Sequence, residues 1–153
     1  EWKKRNSVTI TEADEKAFYT KDDPIREYIG SAEKSHPQKL EDMIEDMKQS
    51  GVDITRRAGA MGYFPGLSAG KVGNINIEEG ASISAWMHEY KHFCDDREEG
   101  YLGFRIFQDP AKCADRERRA YQVEIDFAKE LGYNDIVKRL EKLRDEEVEK
   151  YEQ

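Results

Sequence analysis

Between residues 74 and 93 the chain changes its hydrophobic period, and that change constrains the fold more than any other feature. Asn74-Ile75-Asn76-Ile77-Glu78 alternates apolar with polar side chains, the period of a half-buried strand. Beyond Gly80 the apolar residues Ile83, Trp86, Met87, Tyr90 and Phe93 recur at three- and four-residue spacing, which is one arc of an α-helix. A strand that feeds straight into an amphipathic helix, with Ser82 or Ser84 in place as its cap, requires a sheet and a helical layer that meet here.

The flanking segments extend this reading. Upstream, Val8-Thr9-Ile10-Thr11 predicts a short strand, and Asp22-Asp23-Pro24 starts a short helix that reaches Ile29. Ser35 and Pro37, followed by Leu40, Met43, Ile44 and Met47, predict a helix closed by Gly51, its apolar residues forming core. Val52-Asp53-Ile54-Thr55 alternates as a strand, and the glycine-rich stretch from Gly59 to Gly73 reads as turns with short strand pieces. Downstream, the helix runs to about Asp96, and Tyr101 to Phe107 is expected to hold one more extended piece. Asp109-Pro110 caps and opens a helix that ends at Leu131 before Gly132. A last helix begins near Asn134 with Ile136, Leu140 and Leu143 on one face. The expected class is α+β: a small mixed sheet, a helix at its junction and two C-terminal helices.

Composition excludes several roles. With 25 basic and 33 acidic residues the net charge is −8, and the basic residues are mixed with acidic ones, so nucleic-acid binding is not expected. No apolar run exceeds three residues, which leaves neither a transmembrane helix nor a signal-peptide core, and a soluble chain of unknown location is expected. The 153 residues predict one domain with its core over about 36–131, and Glu1 in place of Met suggests a piece of a longer chain. Cys94 and Cys113 are too few for a disulfide scaffold; one disulfide between them is the alternative to two buried thiols.

His88-Glu89-Tyr90-Lys91-His92 is the motif that carries chemistry. Histidines at i and i+4 project from one helix face and can share a metal, while the adjacent glutamate can take a proton from water and pass it to a leaving amine. The bland reading is two exposed histidines beside a surface carboxylate. Against it, His88 and His92 lie opposite the apolar arc, so the helix can pack on a core and aim both towards a second layer. The upstream strand 74–78 is expected to be an edge that holds a peptide by main-chain hydrogen bonds.

The third ligand must come from elsewhere. Continuing the motif to a third histidine fails, because Asp95 and Glu98 stand at the positions of the required glycine and histidine, and His36 is expected at the surface of a helix start. On the 109–131 helix, Glu117 and Glu124 fall in the middle of the apolar face, where unpaired carboxylates are costly. A metal and the groups around it would satisfy them; an arginine such as Arg97 or Arg105 is the alternative partner. The two glutamates are about 10 Å apart along the axis, so one metal takes only one. Glu117 is the expected ligand, because Ala120 one turn later lets the helices approach, and Glu124 is expected to hold an imidazole N–H or pair in the core.

Met87 to Asp95, followed by Glu117-Arg118-Arg119-Ala120-Tyr121, resembles the gluzincin arrangement of HExxH on one helix and a glutamate in an ExxA-type motif on the next. The layout is similar to anthrax-lethal-factor-like catalytic domains and to small zincin domains of phage proteins and bacterial toxins. It covers roughly residues 72–131. Lys91 stands where many such domains carry a small residue and is expected to face solvent. The resemblance implies a zincin-like fold and a zinc endopeptidase acting on protein or peptide substrates. His88, His92 and Glu117 would bind one Zn²⁺, with Glu89 as general base and then acid. Tyr121 is expected either to donate to the oxyanion or to serve as an interface aromatic, and Asp95 either to orient an imidazole or to be solvated. Rival readings are an inert zinc-stapled module of a phage or secreted protein, with Cys113 as a fourth ligand, and a proteolytic toxin domain.

Overall fold

The computed structural model describes residues 22–153, so the strand expected at residues 8–11 lies outside the described residues. Two short turns, α1 (Arg26–Ile29) and α2 (Ala32–Ser35), lead into α3 (Pro37–Gln49). Leu40, Met43 and Met47 form the buried stripe of α3, and Gly51 turns the chain out of it with φ 93°. Three four-residue strands follow: β1 (Asp53–Arg56), β2 (Met61–Phe64) and β3 (Asn74–Ile77). The helices α4 (Ile83–Glu98), α5 (Pro110–Leu131) and α6 (Asn134–Glu152) complete a mixed α+β architecture. None of the described helices is long and apolar enough to cross a membrane.

The sheet order is β1-β3-β2, with β3 parallel to β1 and antiparallel to β2. The strand expected at an edge is therefore central, and the two edges are β1 and β2, the latter from the glycine-rich stretch. Alternation had shown that one face of 74–78 is buried, and Ile75 and Ile77 are fully buried. It carries no information on how many strands flank it.

A second expectation is also corrected. Gly103–Gln108 is a 3₁₀ helix, not an extended piece. Its backbone follows from the i, i+3 geometry: Phe104 and Phe107 stack edge-on at 5.7 Å while Ile106 is buried. Gly103 has φ 68°, and a Cβ there would lie 2.6 Å from the Ser68 backbone, so the turn packs directly on the loop after β2.

Ser82 caps α4 by accepting from the Ala85 amide at 3.2 Å, and Asp109 caps α5 by accepting from the Lys112 amide at 3.1 Å. Gly132 ends α5 in the left-handed region with φ 80°. The two-residue link to α6 and the Arg118–Glu152 ion pair at 2.7 Å make α5 and α6 an antiparallel pair. Trp86 and Phe93 of α4, Ile125 of α5 and Ile136 and Leu140 of α6 are the large side chains closing the core around α4. α4 thus lies between the sheet and α5, and every residue from Ala81 to Glu89 is buried.

Candidate metal centre

α4 and α5 bring a few of their polar side chains together. His88, His92 and Glu117 each offer one ligand atom, and these atoms lie within 4.8 Å of one another. His88 Nε2 is 3.3 Å from Glu117 Oε1, and His92 Nε2 is 3.1 Å from Glu117 Oε2. Ligand atoms this close can lie around a single ion. The cluster could hold a metal. The bland reading of exposed histidines is excluded, since His88 is 8% exposed and the His92 side chain 13%.

Glu124 does not reach this cluster. Its Oε2 lies 2.8 Å from His88 Nδ1 and its Oε1 accepts from Ser84 Oγ at 2.7 Å. With Nδ1 held by the Glu124 carboxylate, Nε2 is the ring nitrogen turned to Glu117 and the one that could take a metal. The sequence held the signal for Ser84: it precedes His88 by one helical turn and shares its face. Neither arginine suggested as a partner is used, because Arg97 bonds Asp46 at 2.9 and 3.1 Å and Arg105 is exposed.

Glu89 is buried, and its Oε1 accepts from the Tyr63 amide of β2 at 3.0 Å. Burial pushes its pKa up, and the neighbouring His88 and His92 pull it back. For His88, burial alone would lower the pKa, but Glu89, Glu117 and Glu124 together raise it well above the usual imidazole value. Glu117 is pushed up by burial, yet its hydrogen bonds with His88 and His92 hold it below the usual carboxylate range.

Tyr121 packs its ring edge-on against His88 at 4.6 Å and lines the same cavity. Burial, then Glu124 and Glu117, raise its pKa, so the phenol stays a donor at neutral pH. The cavity holds about 320 Å³ between Met61, Gly62 and Tyr63 on the strand side and Tyr121 and Glu147 on the helical side. Asp95 matches neither expectation: it is 4% exposed and binds Arg119 Nε at 3.0 Å. Lys91, expected in solvent, pairs with Asp95 at 3.4 Å. His36 precedes α3 half-buried, with its ring 5.5 Å from that of Phe127, and stays outside the cluster. Cys94 and Cys113 are free thiols, and Cys113 donates to the Ile106 carbonyl at 3.2 Å.

The N-terminus of α4 is anchored by a residue that sequence reasoning placed only in a helix start. Asp23 is fully buried and accepts from Ser82 N at 2.8 Å and Ser82 Oγ at 2.6 Å. Burial pushes its pKa up to about 7, even though the Ser82 bonds favour the charged form. No family model, curated protein or solved structure matches the chain.

Proposed function

We propose that the protein is a zinc-dependent endopeptidase with a gluzincin-like site, acting on peptide segments laid in the cavity beside β2. The observation that carries this reading is the convergence of one ligand atom each from His88, His92 and Glu117 within 4.8 Å of one another, with a buried Glu89 on the same helix. His88, His92 and Glu117 would hold the ion. Zinc in such a site lowers the pKa of a bound water towards ~7 and polarises a carbonyl. The reading is supported by an edge strand, β2, beside α4, which carries both histidines, and by α5, which carries Glu117.

The chain's own residues take the remaining roles. Glu89 accepts the proton of the attacking water and delivers it to the departing amine. Its burial raises its basicity, the direction that suits a general base. Tyr121 remains protonated and donates to the oxygen of the scissile carbonyl as charge develops there. Glu124 holds His88 in the tautomer that faces the metal. Glu89→Gln tests the assignment: it should keep about one zinc per chain and lose activity roughly 10²–10⁴-fold. A variant that cleaves a responsive peptide as fast as the parent removes Glu89 from the mechanism.

A further inference from the structure

A second polar cluster lies two helical turns below Glu89. Asp96 follows Glu89 by seven residues, on the same face of α4 and about 10 Å along its axis. It is fully buried, and its Oδ2 accepts from the Tyr63 hydroxyl at 2.5 Å. The same phenol oxygen accepts from the Gly73 amide at 3.1 Å. Asp96 Oδ1 has no hydrogen-bond partner among the described residues, and the Arg116 guanidinium stands 3.8 Å from it. Arg116 is the residue before Glu117 and also binds Glu99 at 3.0 Å. Tyr63 is thus tied to α4 at two heights, by its amide on Glu89 and by its hydroxyl on Asp96.

An apolar contact would suffice to hold a strand against a helix. A buried carboxylate is an expensive substitute, and what it adds is direction. Glu89 has three side-chain torsions, so its carboxylate needs an external constraint to present one oxygen to a water. The Tyr63 amide supplies that constraint only while β2 stands at one height over α4. Gly73 shows how closely the phenol is fitted: a Cβ there would lie 2.6 Å from the Tyr63 hydroxyl oxygen and 2.1 Å from the Phe64 carbonyl oxygen.

We propose that Tyr63 is a positioning residue for Glu89: its hydroxyl, bound by Asp96, fixes the height of β2 and thereby keeps the Tyr63 amide on the carboxylate of the base. This rests on the peptidase reading. Tyr63→Phe should lower kcat roughly 10- to 100-fold, the scale of an ångström-sized misplacement, with KM and zinc content unchanged. Asp96→Asn keeps an acceptor for the hydroxyl and should restore most of the parent kcat. Asp96→Ala should match Tyr63→Phe, and the double variant Tyr63→Phe/Asp96→Ala should fall no further than either single one. Amide exchange at residue 63, followed by NMR in the zinc-loaded protein, should accelerate at least tenfold in Tyr63→Phe. Parent-like kcat and exchange in Tyr63→Phe, or additive losses in the double variant, overturn the proposal. A parent that cleaves no peptide across a broad library overturns the peptidase reading and this role with it, and the exchange rate then tells whether the clamp itself exists.

Discussion

Glu117 and Glu124 sit on one helix and touch the same histidine, so removing each in turn separates the proposed ligand from its proposed support. Glu117 Oε1 and Oε2 face His88 Nε2 and His92 Nε2, whereas Glu124 meets His88 on its other ring nitrogen. If a zinc site worth ~10–16 kcal/mol divides evenly over four ligands, one ligand contributes about 2.5–4 kcal/mol, or roughly 10²–10³ in affinity. Glu117→Ala should lose that much. Glu124→Ala leaves His88 Nδ1 and Ser84 Oγ buried without their acceptor, at about 1–3 kcal/mol of folding stability for each group. Its zinc affinity should fall only ~10–100-fold, the usual cost of losing a group that orients a ligand. Competition against a chromophoric chelator gives the affinities, and urea unfolding of the zinc-free proteins gives the stabilities. The reverse order, with Glu124→Ala losing more zinc than Glu117→Ala, refutes the geometry and moves the ligand role to Glu124.

Two further outcomes follow from the surrounding residues. Tyr121→Phe keeps the ring against His88 and removes only the donor, so kcat should fall roughly 10²–10³-fold with KM and zinc content near parent values; an unchanged kcat confines Tyr121 to packing. Asp23 has a folded pKa of about 7 against an ordinary 3.8, so the folded state binds its proton more tightly. Its contribution is full below pH ~4 and declines as pH rises to ~7, by at most about 4 kcal/mol. Asp23→Asn removes that titration and should gain stability relative to the parent between pH 4 and pH 8. A constant difference in thermal midpoints across that range contradicts the assignment.

The parts of the site that depend on side-chain identity and helical period were legible in the sequence. His88 and His92 share a face because four residues nearly complete a turn, and Glu117 and Glu124 stood out as carboxylates on an otherwise apolar stripe. The parts that depend on the backbone were not. The Tyr63 amide that meets Glu89 has no signature in residue type, and although short strand pieces were expected in the 59–73 stretch, which of them would lie over α4 was not readable. Asp95 was misjudged for a related reason: a wheel gives its angle on α4 but not that Arg119 on α5 would reach it. The 3₁₀ turn was misread because Tyr101, Phe104, Ile106 and Phe107 are strand-favouring residues, while their spacing is set by the contact of Gly103 with Ser68.

What separates a working zinc site from a structural staple is the fourth position, and Cys113 is one residue whose thiolate could close it. It lies one turn before Glu117, so a thiolate there would complete four protein ligands. The structure directs the thiol elsewhere: it is buried, donates to the Ile106 carbonyl and stays outside the cluster formed by His88, His92 and Glu117. Burial also pushes its pKa up, which disfavours the thiolate a metal requires. Cys113→Ser retains a donor for Ile106 and removes the soft ligand. Its zinc affinity should stay within about threefold of the parent and its kcat should be unchanged. A thiol in the coordination sphere would instead show as a loss of ~10²-fold or more and as a charge-transfer band in the cobalt-substituted parent that vanishes in the variant. That result would make the centre a closed structural site and the inert module the correct reading.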